Sequence, residues 1–422
     1  MRLSFTVGDV RYAEKSTSPM DIQSPQCNST SEDHCAERSG PLALIIIPVL
    51  LALSTVVVAT LIVRSVCCKR QAPAITSVSI SNGHAGKSDC SAGRDSVRIS
   101  TVSGTLRSAR DALGPWEIPG DCVLEEVEFL QTGRYGPVCR SRLSRAGVTT
   151  TVVVKTLRDS TSEPDVKEFV DWARFHATVC KNENLVQMLF CQTQRLPMYL
   201  VLEAVSPGNL LHFLWTLRKG DSGTSSQSQH FSERSVYMVA KQVAAGLDYL
   251  SSEHRLIHGD VAARSMLIGS GLSVRVSGLG MAFEAWQTGK VAQRRAAEVP
   301  LKWQAPERIM RQPMTDRSDV WSFGILLYEL ITLGNPPYPE LEPLEVFPQI
   351  QNSYRMKQPE NCGGPLYDLM KYCWMWNFKD RPTFSAIIKL LKSYTHLAET
   401  KALCSQEDMD IFEYSKRAGV FP

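Results

Sequence analysis

Two groups of residues in this chain are of types that could bind a ligand and do chemistry. Residues 131–138 read Gln-Thr-Gly-Arg-Tyr-Gly-Pro-Val, and glycines such as Gly133 and Gly136 let the backbone approach a ligand closely. An ordinary hairpin turn explains the same pattern. Lys155 follows three valines, which favours an ammonium group held in position, and Asp260 and Arg264 place a carboxylate four residues from a guanidinium.

Strands and helices are both needed to position these groups. Residues 152–154 and 198–202 are short apolar runs that predict strands. Apolar residues recur at three- and four-residue spacings over residues 236–250, which predicts a helix. Between them, residues 219–229 are polar and rich in Gly and Ser, as expected of a solvated loop. Strands followed by helices indicate an α+β domain with two lobes.

Residues 42–63 form an uncharged apolar run of 22 residues. As a helix it would be roughly 33 Å long, enough to cross a hydrocarbon core of about 30 Å. Pro48 is tolerated there when the freed backbone groups find partners. A buried core helix and a cleaved signal are the alternatives, but the run is too long and begins too late for a signal. We therefore predict a single transmembrane helix.

Basic residues flank this run unevenly. Arg64, Lys69 and Arg70 follow it, whereas Arg38 precedes it, and Lys and Arg mark the cytosolic side of a span. The prediction is a single-pass protein of the plasma membrane whose C-terminus is cytosolic. Residues 1–41 then form a short extracellular segment.

Several residues near the run are candidates for modification. Asn28 begins a glycosylation sequon, and Cys27 and Cys35 either pair with each other or remain separate. Cys67 and Cys68 are candidates for palmitoylation, with reduced thiols as the alternative.

Composition narrows the classes of function. Residues 64–115 are rich in Ser, Gly, Thr and Arg without an apolar period, which predicts a flexible juxtamembrane linker. A net charge of +3 with no basic stripe argues against a nucleic-acid partner. The 12 cysteines include no C-x-x-C pair, so no zinc site is indicated.

Further motifs resemble those of the protein kinases, specifically the receptor-type tyrosine kinases, over residues 116–396. They are His-Gly-Asp-Val-Ala-Ala-Arg-Ser at 258–265, Pro-Leu-Lys-Trp and Ala-Pro-Glu within 300–307, Ser-Asp-Val-Trp-Ser-Phe-Gly at 318–324 and Asp-Arg-Pro at 380–382. The first of these, with Gly-Leu-Gly at 278–280, resembles a small branch of receptor-like kinases that have almost no ectodomain. The resemblance implies a bilobal kinase fold, with a small β-rich N-lobe and a helical C-lobe, between the membrane helix and a tail at 397–422.

Residue roles follow from this resemblance. It implies ATP as the ligand, with Asp260 accepting the proton of a substrate hydroxyl and Arg264 orienting Asp260. The residues implied to bind nucleotide are Gly133, Gly136, Val138, Lys155, Leu202 and Glu203. Counting back from Asn184 puts Trp172 where the glutamate partner of Lys155 is expected. Glu168, one helical turn earlier, is the alternative partner.

The metal ligands of the family are the residues that this chain lacks. Kinases hold magnesium through an aspartate and an asparagine, and Gly278 and Ser265 stand at those positions. Magnesium requires hard oxygen ligands in near-octahedral geometry, so we predict that its binding is lost or weak. Glu284 is either a surrogate ligand or a solvated loop residue.

Control by phosphorylation of the activation segment, residues 281–304, is not predicted. Gly259 replaces the arginine that commonly binds a phosphorylated segment, and Thr288 is the only hydroxyl residue in 281–304. The structural residues of the family are better preserved than its metal ligands. The resemblance implies an ion pair of Glu307 with Arg381, and it implies that Asp319 fixes the catalytic loop, residues 258–265.

The tail contains Tyr414 within an acidic stretch. This tyrosine is either an exposed phosphorylation and docking site or part of a short capping helix. Three functions remain open for the whole chain. It is a pseudokinase scaffold for proteins of receptor, MAP-kinase and phosphatidylinositol 3-kinase signalling, as the resemblance implies, or a weakly active tyrosine kinase, or a membrane adaptor working through linker and tail.

Overall fold

The computed structural model describes residues 106–158, 162–218, 231–290, 299–405 and 409–420. The predicted extracellular segment, the membrane run 42–63, Asn28, the cysteines up to Cys68 and the loop 219–229 lie outside these ranges. Within them, no helix is long and apolar enough to cross a bilayer.

The N-lobe is built on an antiparallel sheet with strand order β1-β2-β3-β5-β4. Its strands are β1 (Val123–Thr132), β2 (Pro137–Arg145), β3 (Val148–Thr156), β4 (Met188–Gln192) and β5 (Tyr199–Glu203). Leu143, Val152, Val154 and Val201 form a small core on this sheet. The alternation along β3 buries Val152 and Val154 on this face and leaves Lys155, the next residue, on the other.

Helix α1 (Glu163–Val179) packs beside the sheet. It begins at a capping box in which the Asp165 carboxylate accepts hydrogen bonds from the backbone N–H and hydroxyl of Ser162, at 3.1 and 2.7 Å. Its buried residues recur at helical spacing, so that one face meets the core. They are Phe169, Val170, Trp172, Ala173, Phe175, His176 and Val179.

The C-lobe is helical, as predicted, with the small sheet β6 (Pro207–Asn209), β7 (Met266–Gly269) and β8 (Val274–Val276). Its helices are α2 (Leu210–Arg218), α3 (Glu233–His254), α4 (Gly280–Thr288), α5 (Pro306–Ile309), α6 (Asp316–Ile331), α7 (Val346–Gln351), α8 (Gly364–Cys373), α9 (Phe384–Tyr394) and α10 (Ile411–Ala418). From Ser318 to its end α6 is buried on every face, as expected of a central helix. The two-lobed α+β architecture is therefore confirmed.

The N-terminal boundary of the ordered domain was predicted too late. Residues 106–111 are helical and Gly114–Trp116 forms a 3-10 helix, although residues 64–115 were predicted to be a flexible linker. Leu113 is 1% exposed and belongs to the main core. A single buried leucine in a polar stretch gives no periodic signal, which explains the error.

The C-terminal tail is part of the domain as well. Ala398, Leu403, Met409 and Ala418 are buried in the main core. Tyr414 is 1% exposed, and its hydroxyl donates to Glu329 Oε1 at 3.0 Å. Burial raises the pKa of Tyr414 well above its usual value. The exposed-tyrosine interpretation is therefore wrong, and the capping helix is confirmed as α10.

Candidate functional site

A cavity of about 420 Å³ lies between the glycine loop, residues 131–138, and the start of the activation segment. It brings together residues predicted from distant parts of the sequence. Those lining it are Gly133, Gly136, Val138, Lys155 and Asp260, with Gly278 beside them. Leu202 and Glu203 do not line it: Leu202 is buried in the main core, and the Glu203 carboxylate pairs with Arg275 at 3.0 Å.

Strand register explains how the first residues meet. Val138 on β2 is paired with Lys155 on β3, directly across the ladder. The turn between β1 and β2 is closed by a hydrogen bond from Gly133 N to Gly136 O at 2.7 Å. A Cβ at Gly136 would lie 2.5 Å from the carbonyl oxygen of Thr156, so only glycine fits there. The glycine loop is thus a hairpin turn, and it lines the cavity.

The tip of the glycine loop is fastened to helix α1. Tyr135 OH donates to Glu168 Oε1 at 3.1 Å, and Arg134 Nη2 lies 2.5 Å from the same oxygen. Arg158 donates to the carbonyl oxygens of Arg134 and Tyr135 at 2.9 and 3.2 Å. Glu168 therefore holds the loop, and its alternative role as partner of Lys155 is wrong.

Sequence reasoning missed this attachment. The aromatic ring of Tyr135 packs on Phe169 with centroids 5.4 Å apart, and burial raises the pKa of its hydroxyl above the usual range. The available signal was a large aromatic residue at the tip of a glycine-rich turn, where a small polar residue is more common.

Lys155 has no carboxylate partner within the described residues. Trp172 lines the cavity with it, at the position where the sequence predicted the missing glutamate. The Trp172 ring contacts Phe283 of α4 and His176 of α1, each with centroids 4.8 Å apart. Burial lowers the pKa of Lys155. An aromatic contact between α1 and the activation segment thus stands where an ion pair was expected.

His176 lies behind this contact and is fully buried. An interaction with the Val186 backbone favours the charged ring, but less than burial disfavours it. Burial, and secondarily the charge of Lys155, lowers the pKa of His176 to about 3. The neutral ring therefore packs as an aromatic side chain, against Trp172 and against Phe175 at 6.0 Å.

Replacing His176 with Phe should weaken the acid sensitivity of the fold. Between pH 6.5, the unfolded-state pKa, and about 3, the unfolded chain binds a proton that the folded chain does not. The free energy of unfolding therefore decreases as the pH is lowered through this window, by about 1 kcal/mol between pH 7 and pH 5.5. Urea unfolding at both pH values should show a smaller fall in His176→Phe than in the parent chain. The control His212→Phe changes an exposed histidine, and its free energy of unfolding should decrease between the two pH values as much as that of the parent chain. Equal decreases in all three proteins would contradict the prediction.

Asp260 and its neighbours form a connected polar group at the cavity floor. Arg264 Nη2 donates to Asp260 Oδ1, and the guanidinium stacks on Trp303 with its carbon 4.5 Å from the ring centroid. Asp319 accepts the backbone N–H groups of His258 and Gly259 at 2.7 and 2.8 Å. The catalytic loop is therefore held from below by a buried carboxylate, in the role that the resemblance implied for Asp319.

The expected magnesium position does not fit a metal ion. Gly278 has a φ of +74°, and a Cβ there would lie 3.2 Å from Ser265 Oγ. Ser265 in turn is 3.5 Å from Asp260 Oδ2. In the described ranges no group of three or more His, Cys, Asp or Glu side chains is arranged to hold a metal ion, and Glu284 is not among the cavity-lining residues. Without the aspartate and asparagine of the family, magnesium would have to be bound by Asp260, the Ser265 hydroxyl, waters and phosphate oxygens, which is a weaker set of ligands.

The remaining framework prediction concerns Glu307 and Arg381. Two hydrogen bonds, at 2.8 and 2.9 Å, join them in a bidentate pair. The pair lies behind the docking loop, residues 300–307, and Ser318 Oγ also donates to Glu307 at 2.7 Å. The docking loop is therefore fixed from the protein interior.

Comparison with known proteins agrees with this geometry. Residues 124–391 match the family described as protein tyrosine and serine/threonine kinase. The tyrosine-protein kinase STYK1 of Mus musculus is 34% identical over 404 residues, which cover 93% of this chain and 94% of that relative. STYK1 of Homo sapiens is 36% identical over 327 residues, 77% of each chain.

More distant kinases share the domain alone. The tyrosine kinase receptor Cad96Ca of Drosophila melanogaster is 33% identical over 288 residues, 67% of this chain and 37% of the relative. The resemblance to receptor-like tyrosine kinases is confirmed by these matches. The chain belongs to the protein tyrosine and serine/threonine kinase family.

Proposed function

We propose that this protein is a single-pass membrane protein whose cytosolic kinase-like domain is a catalytically impaired scaffold. The observation that carries the proposal is Gly278: a cavity with Lys155 and Asp260 in its lining has no carboxylate where the metal ligand belongs. The domain then acts by recognition, binding proteins of growth-type signalling such as the MAP-kinase and phosphatidylinositol 3-kinase pathways. The apolar run and its flanking charges support a cytosolic C-terminus, and protease protection of an epitope at each terminus tests that orientation.

Negative charge develops on the phosphoryl group while it is transferred. A metal ion contributes several kcal/mol to stabilising that charge. Losing about 4 kcal/mol slows transfer roughly a thousandfold. Lys155 does not make up the difference, because no carboxylate among the residues that the structure describes pairs with it, and burial lowers its pKa. ATP binding through the glycine loop and Lys155 remains compatible with this arrangement.

A weakly active tyrosine kinase is the second candidate. It is favoured by Asp260, which lines the cavity and pairs with Arg264, because this carboxylate is placed to accept a proton. An adaptor working through linker and tail alone is less favoured, because residues of the tail belong to the main core.

Phosphate transfer by the full chain separates these candidates. The parent, Lys155→Met and Asp260→Asn are incubated with radiolabelled ATP and a tyrosine peptide, in magnesium, in manganese and in chelator. The scaffold proposal expects incorporation at the background level in all samples, while the parent chain in cells still increases MAP-kinase phosphorylation. Transfer by the parent that disappears in both variants would overturn it in favour of the weak kinase.

A further inference from the structure

Arg308 is a buried cation that connects three segments around the catalytic loop. It lies on α5, directly after the Ala-Pro-Glu motif, and is 7% exposed. Its Nη1 donates to the carbonyl oxygen of Gly259. Its Nη2 lies 3.5 Å from Met281 Sδ, in the second residue of α4. One guanidinium therefore contacts the catalytic loop and the activation segment from the end of the docking loop.

Gly259 and Met281 leave no room for a second side chain here. Gly259 has a φ of +78°, and a Cβ there would lie 2.8 Å from both Cε and Sδ of Met281. This sulfur atom is the one that Arg308 contacts. The loss of a side chain at 259 and the presence of an arginine at 308 are therefore two parts of one packing arrangement.

The surrounding charges explain why a cation is kept in this place. Asp319 is fully buried below the catalytic loop, and Asp260 lies above it at the cavity floor. Burial lowers the pKa of Arg308, while Asp319 and Asp260 both raise it. A buried carboxylate without a nearby cation is strongly destabilised, so Arg308 balances charge that the amides of the loop balance only in part.

We propose that Arg308 is a positioning residue that joins the catalytic loop to helix α4 permanently, without phosphorylation. The resemblance placed at Gly259 an arginine that binds a phosphorylated activation segment. Here the cation enters from α5 and contacts the catalytic loop through Gly259 O and the activation segment through Met281 Sδ. These contacts of Arg308 do not depend on whether the domain transfers phosphate.

Hydrogen exchange of the full chain tests the connection, because it reports local opening peptide by peptide. In Arg308→Ala, amides of residues 280–288 and 258–266 should exchange about tenfold faster, as expected for loss of a hydrogen bond from a charged donor. Amides of α6 and α9 should keep their rates.

Arg308→Lys keeps the charge without the planar fork and should give an intermediate rate. Arg311→Ala, at an exposed arginine nearby, is the matched control and should leave all rates unchanged.

Chemical rescue separates positioning from simple packing. Guanidinium at millimolar concentration should restore slow exchange in Arg308→Ala, whereas tetramethylammonium at the same concentration should not. Unchanged exchange over 280–288 in Arg308→Ala would overturn the proposal, as would equal acceleration in α6 and α9 or a failure of rescue. If Arg308→Ala does not fold, Arg308→Gln takes its place with the same expected pattern.

Discussion

Adding the two missing ligands, in the double variant Gly278→Asp with Ser265→Asn, is expected to raise magnesium-dependent phosphate transfer about a thousandfold. The reason is that the substitution at Gly278, which lines the cavity with Asp260, and the one at Ser265, which lies next to Gly278, would supply the carboxylate and amide oxygens through which kinases hold magnesium. Aspartate adopts a left-handed φ such as the +74° of Gly278 more readily than most residues, but its Cβ would lie 3.2 Å from Ser265 Oγ, so the side chain at 265 has to shift slightly. Initial rates of peptide phosphorylation over a magnesium titration measure the effect.

A matched variant isolates the contribution of charge. Gly278→Asn with Ser265→Asn has nearly the same shape but lacks the carboxylate, so its transfer rate should stay close to that of the parent. If this variant gains as much as the aspartate variant, or if the aspartate variant gains nothing at saturating magnesium, the missing metal ligands are not what limits the parent.

The second large effect is expected on stability. Replacing Arg381 with Met should lower the free energy of unfolding by about 3–5 kcal/mol, because it leaves the Glu307 carboxylate charged and unpaired in the interior. The side chains of Arg381 and Glu307 are 0% and 4% exposed. Burial alone would raise the pKa of Glu307, but the hydrogen bonds and charge of Arg381 keep it below its usual value. Denaturant unfolding followed by tryptophan fluorescence measures the loss.

An exposed ion pair provides the comparison. Lys357 Nζ lies 3.5 Å from Glu340, and these side chains are 80% and 60% exposed. Lys357→Met removes the same kind of charge and should cost less than about 1 kcal/mol. If Lys357→Met and Arg381→Met lower the free energy of unfolding by similar amounts, burial does not explain how much the Glu307–Arg381 pair contributes to stability.

The sequence was sufficient for the parts of the site that depend on local pattern. Lys155 follows from a β-branched run with a charge at its end, and its pairing with Val138 follows from the hairpin that the glycines allow. The position of Trp172 follows from counting back from Asn184, shortly after the end of α1. In each case neighbours in sequence, or one turn away, determine the geometry.

Contacts between residues that are far apart in the sequence were not predictable in the same way. The Glu168 carboxylate binds Arg134 and Tyr135, and their positions depend on the fold of the glycine-loop tip. Glu203 binds Arg275, which lies 72 positions farther along the chain. No periodic pattern in the sequence indicates such a contact. Tyr414 is flanked by acidic residues that suggest exposure, yet it is buried because Glu329, itself desolvated, accepts its hydroxyl.

The packing of α10 has a practical consequence for protein production. Lys302 Nζ donates to Arg417 O at 2.6 Å and to Tyr338 O at 3.0 Å, so the last helix supplies a partner for a buried ammonium in the docking loop. A fragment ended at residue 396 would remove that partner and expose the Glu329 carboxylate. Val420 still packs on the core, so a bulky reporter fused at the C-terminus would be attached almost directly to it. Affinity handles and fluorescent labels are better inserted elsewhere, and recognition measured on shortened fragments would describe an altered surface.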